Sequence, residues 1–167
     1  MGVVGVAELS EVLWRERELL EMLVFKLEEE HLLLASSNAR WLPRATREVE
    51  VVVEQLRQVE LRRALIVDAA AASLGLPSDP TLAQLADAAP GAWAELLRDH
   101  RTAFLELTRE VQDKADANKL LLSAGYRQAR EGLVVLTGRA NRESAGYGRT
   151  GRAAVTATSS QLVDQAF

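Results

Sequence analysis

Residues 93–136 read WAELLRDHRTAFLELTREVQDKADANKLLLSAGYRQAREGLVVL, and this stretch decides the fold. Apolar residues recur along it at three- and four-residue steps: Trp93, Leu97, Phe104, Leu107, Val111, Leu122, Ala129, Leu133 and Leu136. That spacing lines them along one stripe of an α-helix. Arg98, Arg101, Glu106, Arg109, Glu110 and Gln112 fall on the other faces. At 1.5 Å per residue the helix would extend about 65 Å, well beyond an average globular helix. Such a helix cannot bury its own stripe, so other helices must lie beside it.

Two candidates precede it. The first opens near Glu8 or Ser10, with Ser10 as N-cap and Glu11 in the first turn. Leu9, Leu13, Leu20, Leu23, Leu27 and Leu34 follow a near-heptad line that Glu16 and Glu30 interrupt. Trp14, Val24 and Phe25 widen the line into a band suited to more than one neighbour. Ser36, Ser37 and Asn38 break it. The second helix opens around Trp41 to Pro43, because proline is tolerated in a first turn. Its stripe is Leu42, Ala45, Val49, Val52, Leu56, Val59 and Ile66, with Arg63 at one heptad position. Gly75 reads as its C-terminal cap, with Pro77 just beyond.

Ser78-Asp79-Pro80 then signals a short helix over Thr81 to Ala88, and Pro90 and Gly91 punctuate before the long helix. Gly125 and Gly132 inside that helix each cost up to about 1 kcal/mol relative to Ala. Either they allow another helix close, or they mark where the last third loosens. The expected fold is all-α: an elongated antiparallel three-helix bundle or coiled coil with a short connecting helix. Residues 1–138 form the bundle domain and residues 139–167 a flexible tail. The tail is rich in Gly, Ser, Thr, Ala and Arg, with Leu162, Val163 and Phe167 as a closing apolar cluster that could fold on a partner.

Bulk composition narrows the function. The 167 residues suit one domain, and 48% hydrophobic content with 5% aromatic favours aliphatic helix packing. Residues 1–137 carry 16 Lys and Arg against 22 Asp and Glu, a balance of −6. The last thirty carry four Arg against two acids, a balance of +2. An acidic body argues against a dedicated nucleic-acid binder. Without cysteine there are no disulfides, thiolate nucleophiles or cysteine-ligated metals. No signal peptide, myristoylation pattern or membrane span is legible, so a soluble, cytoplasmic protein is expected.

Chemistry finds little support. Glu28-x-x-His31 has the spacing of a carboxylate-bridged metal bundle, but the second such motif is missing: Leu97 stands three residues before His100. His100 reads as a hydrogen-bonded histidine at the edge of the stripe. The serines lack any elbow or triad pattern, and no phosphate-cradling glycine loop is present. Gly146-Tyr147-Gly148-Arg149-Thr150-Gly151-Arg152 has a superficial likeness to RNA-binding segments, but reads as a linker in so acidic a chain. No catalytic residue, cofactor or metal is expected. Asn118 falls on the heptad line through Val111 and Leu122, where it is either a buried register-setting residue or a boundary residue reaching solvent.

Three segments together resemble the FlgN family of bacterial flagellar export chaperones. They are residues 13–21 (LWRERELLE) with 25–30 (FKLEEE), residues 41–50 (WLPRATREVE), and Asn118-Lys119-Leu120-Leu121-Leu122 with Tyr147-Gly148 downstream. The resemblance covers about residues 8–150, and the order and spacing of the segments carry it. Gly125, Gly132 and the Arg-bearing tail depart from the pattern. It implies a non-enzymatic cytoplasmic chaperone that holds the helical ends of hook-associated, hook–filament junction proteins. Such a chaperone prevents premature assembly and delivers its clients to the export gate of the flagellar type III secretion system. The partner-binding residues expected on this reading are Asn118, Leu121, Leu122, Leu133, Val134, Leu136 and Tyr147. A homodimer is compatible with it, while nucleic acid and membrane insertion are not expected. The alternative is a structural or scaffolding coiled-coil protein without clients. A metal-dependent bundle enzyme and a nucleic-acid adaptor are remote.

Overall fold

The computed structural model describes residues 2–36 and 38–146. Four helices follow in order: α1 (Gly2–Ala35), α2 (Leu42–Ser73), α3 (Leu82–Ala88) and α4 (Ala92–Gly146). There is no strand among the described residues, and the protein is an all-α bundle. The chain divides into two compact units, residues 1–125 and 126–167.

In the first unit the pairings fix the direction of each helix. Gly5 meets Ala70, Glu16 pairs with Arg63, and Lys26 pairs with Glu48, so α1 and α2 run antiparallel. Trp14 meets His100, Glu28 meets Lys114 and His31 meets Asn118, so α4 runs parallel to α1. Each of those three pairs is 86 or 87 residues apart along the chain. A register this constant over almost five helical turns describes two helices lying side by side.

α1 starts earlier than expected. Its helix begins at Gly2, and Ser10 is a buried mid-helix residue at 6% exposure, not a cap. Core burial explains the extra turns: Val6 and Leu9 are completely buried with Leu85, Ala86 and Leu97 in one cluster. Gly5 permits this approach, since a Cβ there would stand 3.2 Å from Ala70 Cα. The heptad leucines Leu20, Leu23 and Leu27 pack with Leu19, Val52 and Leu56 in a second cluster, which Leu107 and Val111 of α4 flank. Phe104 lies against both clusters. Trp14 and Phe25, expected to widen the α1 band, are about half exposed, and Val12 and Leu19 are buried in addition to the heptad leucines.

The helix ends follow local chemistry. α2 opens after Trp41 with proline in its first turn. It closes through bonds from the Leu76 and Gly75 N–H groups to the carbonyls of Ala71 and Ala72, at 2.9 and 3.3 Å. This is the Schellman arrangement, and the φ of +70° at Gly75 is what it requires of the backbone. α3 is capped by Thr81 rather than by Ser78 or Asp79. The Thr81 hydroxyl accepts from Gln84 N–H, while Gln84 Oε1 accepts from Thr81 N–H, a reciprocal capping box. Asp79 holds a left-handed φ of 56°, and its N–H donates to Asp68 Oδ1 at 3.0 Å. α4 continues through Gly125 and Gly132 to Gly146. Nothing lies within 4 Å of a Cβ built on Gly125, Gly132 or Gly138, so these glycines do not mark a close helix approach. Residues 139–146, expected in the tail, belong to α4. The remainder of the expected tail lies outside the described residues.

Candidate partner-binding surface

The polar interruptions of the leucine lines turn out to meet one another inside the first unit. Glu30, which breaks the α1 heptad, accepts from Thr46 Oγ1 of α2 at 2.7 Å and from Asn118 Nδ2 of α4 at 3.0 Å. Asn118 Nδ2 also donates to the Leu27 carbonyl at 2.9 Å, and its Oδ1 lies 2.9 Å from His31 Nδ1. At 2% exposure Asn118 is enclosed by α1 and spends its amide there. Asn118, expected as a partner-binding residue, thus bonds within the bundle, where through Glu30 it links α4 and α1 to α2.

The half-motif Glu28-x-x-His31 is absorbed in the same way. Glu28 accepts from Lys114 Nζ, a bond that holds the Glu28 carboxyl below its usual range and the Lys114 ammonium above its own. Among the described residues no group of three His, Asp or Glu is placed to hold a metal. Higher up α1, Glu16 lies 3.3 Å from Arg63 of α2, with its other carboxylate oxygen unpartnered among the described residues. Burial pushes the Glu16 carboxyl up, Arg63 works against that shift, and Glu60 adds to it.

His100 departs from its expected setting. It is completely buried and neither ring nitrogen has a hydrogen-bond partner among the described residues. Trp14 meets it edge-on at 4.7 Å between centroids, and Phe104 stacks at 6.1 Å. Burial lowers its pKa, Arg17 lowers it further, and Asp99 opposes them. Its role is that of an aromatic packing residue. Among the described residues no nucleophile, base and orienting group stand together around it.

The leucines of α4 divide differently. In the first unit Leu121 is half-buried and Leu122 is 41% exposed, while the unnamed Leu120 is 73% exposed. In the second unit Leu133, Val134, Val135 and Leu136 are all between 61% and 64% exposed, and Tyr126 is similarly open. Four consecutive residues of a helix point about 100° apart, so together they ring most of its circumference. A helix apolar all round is one that becomes buried on several sides. Sequence periodicity selects Leu133 and Leu136 and the resemblance adds Val134, while Val135, Tyr126 and Leu120 are not singled out, because a stripe template discards residues off the stripe. The unbroken Leu-Val-Val-Leu run was the signal available. Tyr147 lies outside the described residues.

No helix is long and apolar enough to cross a membrane among the described residues. Comparison with known proteins gives one result: the family model described as FlgN protein matches residues 1–154. No curated protein and no solved structure matches the chain significantly.

Proposed function

Because the chain belongs to the FlgN family, a family of flagellar export chaperones, we propose that it is a cytoplasmic, non-enzymatic chaperone for hook-associated proteins of the hook–filament junction. On this reading it binds the terminal helices of those clients, keeps them from assembling early, and presents them to the export gate. The observation that carries the reading is the exposed Leu133–Leu136 ring on α4. Contiguous apolar surface on a soluble chain marks a place where another molecule docks.

The mechanism follows from the physics of the client as much as of the chaperone. A terminal helix that completes its fold only in the assembled structure exposes an apolar stripe, and such stripes aggregate. Helix-to-helix packing against α4 covers that stripe reversibly. A side chain of this kind gains on the order of 1.5–3 kcal/mol when fully buried from full exposure. These four, already partly covered and facing different sides, gain less from one helix, before the costs of ordering both partners. Tyr147 and the rest of residues 139–167 extend the same proposed docking region. A homodimer would use the same apolar ring, in competition with the client.

Replacing Leu133 and Leu136 together with Asp tests the reading. Co-purification of a junction protein is expected to fall below detection, while the helical content of the chaperone by circular dichroism stays unchanged. Undiminished co-purification by a folded double variant would remove α4 as the docking element.

A further inference from the structure

The charges around the apolar ring identify the kind of helix it takes. Residues 126–146 carry Arg127, Arg130, Arg139 and Arg142 against Glu131 and Glu143, a balance of +2 in a chain whose net charge is −4. In the first unit Lys26 is held by Glu29 and Glu48, Arg63 by Glu16 and Lys114 by Glu28, while Arg47, Arg62, Arg101 and Arg109 make no ion pair among the described residues. In the second unit neither Arg127 nor Arg130 makes an ion pair among the described residues, although Glu131 follows Arg127 by one helical turn. Both are exposed. Helical geometry sets Arg130 three and four residues before Leu133 and Val134, and Arg127 three residues before Arg130, so the two guanidiniums border the apolar side chains on one face.

We propose that this surface selects an acidic amphipathic helix, one whose leucine stripe is flanked by Asp or Glu. The inference rests on the docking role given to α4 above and specifies its partner. Leucine against leucine supplies attraction without choice, because any amphipathic helix has a stripe to offer. The unpaired arginines supply the choice. A flanking carboxylate on the incoming helix meets a guanidinium that fits it bidentately, whereas a flanking lysine meets a like charge.

The test uses the full chain and two synthetic amphipathic helices sharing one leucine stripe, flanked by Glu in one and by Lys in the other. Fluorescence anisotropy of the labelled peptides at low ionic strength is expected to show the Glu helix binding about three- to tenfold tighter. That range is what two partly exposed ion pairs provide, and it should close in about 0.5 M salt. Arg127→Gln combined with Arg130→Gln should erase the preference and leave the weaker, apolar binding. Equal binding of both helices by the wild-type chain, or a preference that survives the two glutamines, overturns the acidic selection and leaves apolar capture standing. Binding of neither helix, or binding of both that is indifferent to Leu133→Asp with Leu136→Asp, overturns the docking role itself. Sedimentation velocity supplies the last arm. If the chain alone self-associates through residues 126–146 and the Glu helix does not compete, the occupant is a second copy and the proposal fails.

Discussion

Two lengths of one helix, α4, use similar residues to opposite ends. From Leu97 to Asn118 the apolar side chains are spaced by three and four, and Leu97, His100 and Asn118 are almost fully buried. From Tyr126 to Leu136 the apolar residues are about as large but bunched, and the bunched four are all more than half exposed. Spacing, more than hydrophobicity, separates scaffold from surface here. A stripe can be satisfied by the neighbouring helices of its own chain. A ring cannot be covered from one side, so part of its surface remains for another molecule.

The largest effect expected from this contrast comes from truncating one leucine in each length. Leu97→Ala leaves a cavity in the cluster of Leu9, Leu85 and Ile66 and should lose about 2–5 kcal/mol of stability. Leu133→Ala, at 63% exposure, should fall within about 0.5 kcal/mol of wild type. Thermal melts of the two variants would break the comparison if their midpoints shifted alike. Client binding should show the reverse order, with Leu133→Ala the more damaging.

The bundle was legible in the sequence because its signals are periodic and local. Proline at the start of α2, Gly75 at its end and the apolar stripe of Val52, Leu56 and Ile66 each act over a few residues. What sequence could not yield was partnership across helices. Glu16, Glu30 and Asn118 each look like a flaw in a leucine line, and only the fold shows that Glu30 and Asn118 meet. The start of α1 was missed for a related reason: Val6 and Gly5 are helical because of what they touch on α2 and α3, not because of their own propensities. The candidate surface was half visible, since periodicity finds Leu133 and Leu136 on the stripe but passes over Val135 and Tyr126 beside them.

Buried polarity sharpens the contrast further, because among the described residues the first length of α4 carries a fully buried titratable group, His100, and the second does not. His100 binds a proton less readily folded than unfolded, since burial and Arg17 both disfavour its charge. Between the unfolded histidine value near 6.5 and the lowered folded value, the unfolded chain therefore holds the extra proton. The stabilisation is fully present above that range and is lost as pH falls through it. From pH 7.5 to 5.5 the folding equilibrium constant should therefore fall. Glu16 acts in the other sense. Its raised pKa gives the folded chain the extra proton above 4.5, so its contribution weakens as pH rises. Urea titrations of wild type and His100→Leu at both pH values separate the two. The drop should vanish in the variant, and an equal drop in both would assign it elsewhere.

The smallest expected effect asks whether the exposed length has to stay weak. Gly132 lies in the middle of α4 with open space where a Cβ would go, so no contact forbids alanine there. Its presence instead lowers helix propensity one residue before the apolar ring. Gly132→Ala should stiffen the segment by about 0.4–1 kcal/mol, acting largely by narrowing the unfolded ensemble. Amide hydrogen exchange over residues 126–146 would register this as slower opening, with the first unit unchanged. If the client is captured by a preformed helix, the stiffer segment should bind up to severalfold tighter, since less ordering remains to be done. If capture instead requires the segment to adapt its backbone around the incoming helix, the same substitution should weaken binding while still slowing exchange. The two measurements taken together therefore distinguish a rigid docking rod from a segment whose glycine is kept for compliance.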